Sequence, residues 1–232
     1  MVVKYPTLYT AKEFIRIAEA IPKLQKLECY VEPKYDGSNI TVYCSAFYTR
    51  NLHKLDRAFE KGLREALKDK LNVLKKLSMK YQIFLELGGY NNSPAGYVEG
   101  WRSNWDYRVF DLFAGVFLKP EKIEKICKEL GLEFVGYDVY KVEDIVANWT
   151  KILANYPNME GFVVKVFPPK EVIEKIRHHR QYNAIIGKFK HEYLGKTKTI
   201  RKVVKKKKKV EVVEKKLMPY SEIMGAINKA HL

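Results

Sequence analysis

The stretch VEPKYDGSNITVYC, residues 31–44, sets Lys34 between Pro33 and the pair Asp36-Gly37. A lysine amine is a nucleophile only after it loses a proton. A free lysine titrates near ~10.4, so a reactive one needs neighbouring positive charge or partial burial. Asp-Gly between alternating apolar residues predicts a β-hairpin turn. A proline just before Lys34 removes a ladder donor and belongs at an edge or an irregularity. Lys34 is therefore either a solvated lysine beside a turn or one held to react.

Other polar side chains fall on defined faces. In YQIFLELGG, Tyr81, Ile83, Leu85 and Leu87 face one way and Gln82, Phe84 and Glu86 the other, which turns Glu86 towards a pocket rather than the core. In IIGKFK, Lys188 and Lys190 share one strand face. Alone, in a chain this rich in lysine, that pair reads rather as a solvated edge strand guarded by lysines. In EGFVVK, strict alternation puts Glu160 and Lys165 on opposite faces unless the strand bends or bulges. His178 and His179 stand beside Arg177 and Arg180, and adjacent helical residues diverge by about 100°, so they read as basic surface rather than a metal site.

The hydrophobic pattern predicts the elements that must position these residues. AKEFIRIAEA, residues 11–20, reads as an amphipathic helix ended near Pro22, and a β region follows from about Leu27 to Tyr48. Leu55, Phe59, Leu63, Leu67, Leu71, Leu74 and Leu77 recur at three- and four-residue steps, predicting one long helix over 53–77. DYRVFDLFAGVF reads as a strand region, and a helix from about Lys119 ends at Gly131. Helix, strand, helix and strand follow over 142–153, 160–167, 170–182 and 185–190. The order indicates an α+β domain. Residues 196–232 carry 12 Lys or Arg against 3 Glu, a formal +9 of the chain's +16. We place a domain over 1–195 and a Lys-rich appendage over 196–232, with a short helix capped by Ser221, too small for a second core.

A chain of 232 residues that is 47% hydrophobic can bury a full core and is not disordered. No apolar run approaches the roughly 20 residues that cross a membrane, and MVVKYPTLYT lacks the apolar centre of a signal peptide. Cys29, Cys44 and Cys127 are odd in number and scattered, against a disulfide framework or zinc site. A cytoplasmic protein is the expectation. The charge points to a polyanionic partner, nucleic acid rather than a membrane, although lysine enrichment also accompanies heat adaptation.

Lys34-Tyr35-Asp36-Gly37 is followed by Thr49-Arg50-Asn51, Phe84-Leu85-Glu86-Leu87-Gly88-Gly89, Val109-Phe110-Asp111, Glu160-Gly161-Phe162-Val163-Val164-Lys165 and Lys188-Phe189-Lys190. In this order the sequence resembles the covalent nucleotidyltransferase superfamily of polynucleotide ligases and mRNA capping enzymes, matching its motifs I, Ia, III, IIIa, IV and V over residues 32–190. Asn39, two residues after Gly37, resembles RNA ligases of the second phage-type family, including the RNA-editing ligases; DNA ligases and capping enzymes usually have Arg there. QIFLELGG resembles the same family's motif III, with Leu85 in place of its usual Gly. The spelling from Glu32 to Gly37 is also similar to that of DNA ligases.

The resemblance implies an α+β adenylyltransferase (ATP-grasp-like ligase) domain of antiparallel sheets flanked by helices. It implies an ATP-dependent RNA ligase that joins 5′-phosphate and 3′-hydroxyl ends of RNA. Lys34 would become lysyl-AMP, with Lys188, Lys190 and Mg²⁺ or Mn²⁺ supplying positive charge and Glu160 the carboxylate for the metal. Glu86 would accept from a ribose hydroxyl, Phe110 would stack on adenine, and Glu32 would accept from the adenine amino group. Arg50 would contact the ribose or the 5′-phosphate of the incoming end, and Asp36, Asn39 and Lys165 complete the nucleotide-binding set. On residue type alone, Glu86 reads as an exposed strand carboxylate, Phe110 as core and Arg50 as a turn cation. The alternatives are an ATP-dependent DNA ligase or a GTP-using capping enzyme and, outside enzymes, a basic nucleic-acid-binding protein with a vestigial pocket. Larger members carry a further C-terminal domain, often an OB-fold, for which the residues after 195 are too few. Lys205–Lys209 are expected to add nonspecific attraction for phosphates.

Overall fold

Two sheets stack with a cleft between them, and helices pack on their outer faces. The computed structural model describes residues 2–90, 92–176 and 182–191. The expected appendage, with its Ser221-capped helix and Lys205–Lys209, and the His178-His179 pair lie outside the described residues. The chain divides into two units, Met1–His191 and Glu192–Leu232, and every described residue belongs to the first.

The elements in order are β1 (Tyr9–Thr10), α1 (Ala11–Ala20), α2 (Pro22–Gln25), β2 (Glu28–Lys34), β3 (Ser38–Tyr43), β4 (Ala46–Thr49), α3 (Arg57–Leu67), α4 (Leu71–Leu77), β5 (Gln82–Gly88), β6 (Asp106–Phe113), α5 (Pro120–Leu130), β7 (Asp138–Lys141), α6 (Val142–Leu153), β8 (Gly161–Val166), α7 (Lys170–Ile173) and β9 (Ile185–Lys190). One sheet has the order β1-β9-β8-β2-β7 and the other β4-β3-β5-β6. All pairs are antiparallel except β1 with β9. Among the described residues no helix is long and apolar enough to cross a membrane.

The alternation expected for β5 holds. Ile83, Leu85 and Leu87 enter a core with Leu63 and Leu67 of α3, Leu74 of α4 and Ile123 of α5. Burying each such side chain contributes roughly 1.5–3 kcal/mol. Helix α1 begins at a capping box between Thr10 and Glu13. It lays Phe14 edge-on against Phe189 of β9, 5.6 Å away.

Three expectations change. The leucine stripe forms two helices rather than one, parted by a 3-10 turn at Lys68–Lys70 in which Lys68 has φ 43°. The first starts only at Arg57, because Asp56 accepts from the Phe59 N–H and caps it. Of the helix expected over 170–182 the described residues show one short turn, α7, which gives out at Glu174; residues 177–181 lie outside the described residues. Most consequentially, Asp36-Gly37 closes no hairpin. β2 pairs with β7 and β8, and β3 with β4 and β5, so Tyr35–Gly37 carries the chain from one sheet to the other. Gly37 is needed for proximity instead of a positive φ, since a Cβ there would meet the Leu87 carbonyl oxygen at 2.6 Å. The true two-residue turn is Cys44-Ser45, with φ 47° and 63° between Tyr43 and Ala46, the positive angles that tight hairpins require.

Candidate active site

The cleft between the sheets has a volume of about 520 Å³, within the usual range for a ligand pocket. Lys34, at the last residue of β2, lines it together with Lys188 and Lys190 of β9. Those two lysines share a strand face, as their spacing requires. Lys34 Nζ lies 2.5 Å from Glu160 Oε2, and Lys190 pairs with the other oxygen of Glu160.

The strand that carries Glu160 shows how it reaches them. The Glu160 N–H donates to the Lys34 carbonyl at 3.1 Å. Gly161 follows with φ 150°, and a Cβ there would meet the Phe189 carbonyl oxygen at 2.0 Å, so only glycine fits. This irregularity precedes the regular part of β8, so that Lys165 lines the cleft while Glu160, not itself among the lining residues, pairs with two lysines that are. Burial pushes the Glu160 carboxyl up, but Lys34 and Lys190 outweigh it and hold it below the usual carboxylate range. Burial, then Lys190, Lys34 and Arg50, push the Lys188 ammonium down.

Asn39 and Glu86 stand opposite each other across β3 and β5 and both line the cleft. Burial pushes the Glu86 carboxyl up to about 7, against the pull of Lys34 and a hydrogen bond from the Gly37 N–H. Asp36 points elsewhere. Its Oδ2 accepts from Ser93 Oγ (2.6 Å), the Ala95 N–H (2.7 Å) and the Tyr97 N–H (3.1 Å), which ties the loop after β5 to the stretch holding Lys34. The side chain is 4% exposed and is not among those lining the cleft.

Phe110 reaches the cleft through a bulge. Phe84 faces Asp111 and Leu85 faces Val109, so the register slips by one residue at Phe110. Val109 and Leu112 can then enter the core beneath β5 while Phe110 and Asp111 both turn towards the other sheet. There Lys165, 1% exposed, lies 2.7 Å from Glu32 Oε2 and 2.9 Å from Asp111 Oδ1, and donates to the Phe110 carbonyl at 2.7 Å. The ammonium thus donates to one carbonyl and is ion-paired with two carboxylates, and Asp111 Oδ1 is not aligned for a hydrogen bond. Burial opposes the charge on Lys165, and the two carboxylates overcome it and hold the ammonium above its ordinary value. Burial pushes both Glu32 and Asp111 up, because one ammonium serves two carboxyls.

Residues before α1 were not apparent as site residues, yet Tyr5, Thr7 and Leu8 form part of the cleft wall. KYPTLY has no periodicity that would reveal this. Arg50 also lines the cleft and donates from Nη2 to the Pro6 carbonyl at 3.1 Å. Among the described residues, Glu32 Oε1, Asn39 Oδ1, Thr49 Oγ1 and Arg50 Nε are buried without a hydrogen-bond partner. Burying such atoms unpaired is costly, so four on the walls of one cleft fit a ligand rich in polar groups.

A model of the family described as RNA ligase matches residues 27–180, two thirds of the chain. A search of the curated proteins finds none that matches. Among solved structures, an archaeal ATP-dependent RNA ligase aligns with a TM-score of 0.60 at 19% identity, covering 82% of this chain and 48% of its own. A mutant of the Naegleria gruberi RNA ligase with AMP and Mn aligns at 0.56 and 19%, covering 71% and 53%. A putative ATP-dependent DNA ligase from Aquifex aeolicus aligns at 0.53 and 18%, covering 71% and 46%. At these identities the likeness is one of fold, and the chain spans about half the length of each structure. Matched by the family's model from β2 to beyond α7, the chain belongs to the RNA ligase family.

Proposed function

We propose that the chain is the nucleotidyl-transferring domain of an ATP-dependent RNA ligase, with Lys34 as the residue that takes AMP from ATP. The observation that carries this reading is the grouping of Lys34, Glu160 and Lys190 at a cleft whose walls hold four unpaired buried polar atoms. Lys34 gives up two protons to solvent. One leaves the ammonium before Nζ attacks the α-phosphorus. The other leaves the nitrogen once the N–P bond has formed and the bond to pyrophosphate has broken. In the second step an oxygen of the RNA 5′-phosphate attacks the same phosphorus, the N–P bond breaks, and Lys34 recovers its protons. In the third, the 3′-hydroxyl oxygen attacks the 5′-phosphorus, its proton passes to solvent, and AMP leaves.

The remaining residues act by position and charge. Phe110 offers its ring to adenine, and Glu86 accepts from a ribose hydroxyl. Lys188, Lys190 and Arg50 face the phosphates. Among the described residues no three His, Cys, Asp or Glu group into a metal site. A magnesium site needs only one or two carboxylates besides substrate phosphates, and the hard oxygens of Glu160 fit that role. Mg²⁺ or Mn²⁺ bound there would neutralise phosphate charge. Lys165, buried and ion-paired with two carboxylates, holds Glu32 and the Phe110 backbone rather than a phosphate. Asp36 holds the loop over 93–97.

Sealing assays with matched RNA and DNA strands bearing 5′-phosphate and 3′-hydroxyl ends test the substrate. Joined RNA ends are expected. Joining of DNA ends alone would make the protein a DNA ligase, and covalent labelling by GTP but not ATP would make it a capping enzyme.

A further inference from the structure

The segment before α1 carries none of the motifs and precedes the residues that the family model matches. It nonetheless touches both sheets. The Val3 N–H donates to Gln82 Oε1 at 2.8 Å and its carbonyl accepts from Gln82 Nε2 at 2.5 Å, fixing the segment on the first residue of β5. Tyr5 is 4% exposed, and its hydroxyl donates to Asp111 Oδ2 at 2.6 Å. Its ring meets Phe110 edge-on at 5.1 Å. The Pro6 carbonyl takes the Arg50 guanidinium. Tyr9 and Thr10 then pair with Gly187 and Lys188, on the strand that carries the two cleft lysines.

We infer that residues 3–10 are a positioning strap of the nucleotide cleft, in which Tyr5 sets the attitude of Phe110 and completes the ligation of Asp111. The inference rests on the nucleotide reading above. Asp111 lies against Lys165 through Oδ1 and Tyr5 through Oδ2, so the phenol supplies what the shared ammonium cannot. Without that hydroxyl, Asp111 draws Lys165 away from Glu32 and from the Phe110 carbonyl. Both of those groups line the wall assigned to the base. The carbonyl of Pro6 and the β1–β9 pair hold Arg50 and Lys188 in the same way. Tyr5 is thus a positioning residue that acts through Phe110 and Asp111.

Tyr5→Phe keeps the ring and removes only the hydroxyl. The expected result is about a tenfold rise in the Kd of a non-hydrolysable ATP analogue, matched in the KM for ATP of Lys34 labelling, with the maximal labelling rate within about twofold of wild type. In the wild type, hydrogen exchange at residues 3–8 is expected to slow when the analogue binds. A lower Tm with unchanged affinity and KM would reduce Tyr5 to a stabilising residue and overturn the inference. Were the variant to misfold, exchange in the wild type would still decide, and no slowing on binding would overturn it. Failure of the wild type to take AMP on Lys34 would instead remove the nucleotide reading, and the strap with it.

Discussion

Replacing Glu160 with Gln is expected to slow the covalent labelling of Lys34 by about 10²–10³-fold, the range typical of losing one preorganised electrostatic partner. Glu160 is the carboxylate between Lys34 and Lys190. The amide has the same shape, keeps the backbone bond to the Lys34 carbonyl and leaves Gly161 undisturbed. It cannot neutralise two ammonium groups, nor offer two hard anionic oxygens to a metal. The fold should therefore survive while Lys34 loses its orientation. The pH dependence follows from the sign of the shift. The native Glu160 carboxyl lies below the ordinary value of 4.5, so its ion pairs stabilise the fold above that value, and this contribution is lost as pH falls through the lowered one. The Gln variant lacks that acid-sensitive component. Single-turnover labelling with ATP labelled at the α-phosphate measures the rate, and melts between pH 3 and 6 measure the rest. A labelling rate equal to wild type would remove Glu160 from the chemistry.

Lys165→Met is expected to destabilise the domain by about 3–5 kcal/mol at neutral pH, the usual cost of deleting one partner of a buried ion pair. For a chain of this size that lowers Tm on the order of 10 °C. The variant leaves Glu32 and Asp111 facing each other with side chains 3% and 1% exposed and no cation between them. Its deficit should depend on pH. Burial holds both carboxyls above their ordinary values, so the native state retains protons that the unfolded chain releases. The stability they contribute is full below the ordinary carboxylate range and is lost as pH rises through the raised values. Without the ammonium they rise further and the loss steepens. Melts at pH 5 and pH 8 should show the smaller deficit at pH 5, and an equal deficit at both would mean that Lys165 acts there by packing alone.

The sequence made the regular parts of the site legible and hid its irregular ones. Glu86, Lys188 and Lys190 follow from the two-residue period of a strand, which the folded chain keeps in β5 and β9. Phe110 and Glu160 do not follow from it, because a bulge in β6 and the backbone at Gly161 break the period where each side chain must turn inward. Motif order alone singles them out; alternation does not. Asp36-Gly37 misled because a hairpin signal is local, whereas the strands beside it find partners in two different sheets. The break at Lys68 was invisible since the leucine stripe runs through it unchanged. The strap over residues 3–10 left no trace, having neither period nor motif, and its place is set by partners 40 to 180 residues away, such as Arg50, Gln82, Asp111 and Lys188.

The most direct measurement is incubation of the protein with a divalent metal and ATP labelled at the α-phosphate, followed by recovery of the labelled peptide. A covalent label on Lys34, absent from Lys34→Ala, is the expected result. No label on the wild type, or a label undiminished in Lys34→Ala, would contradict it.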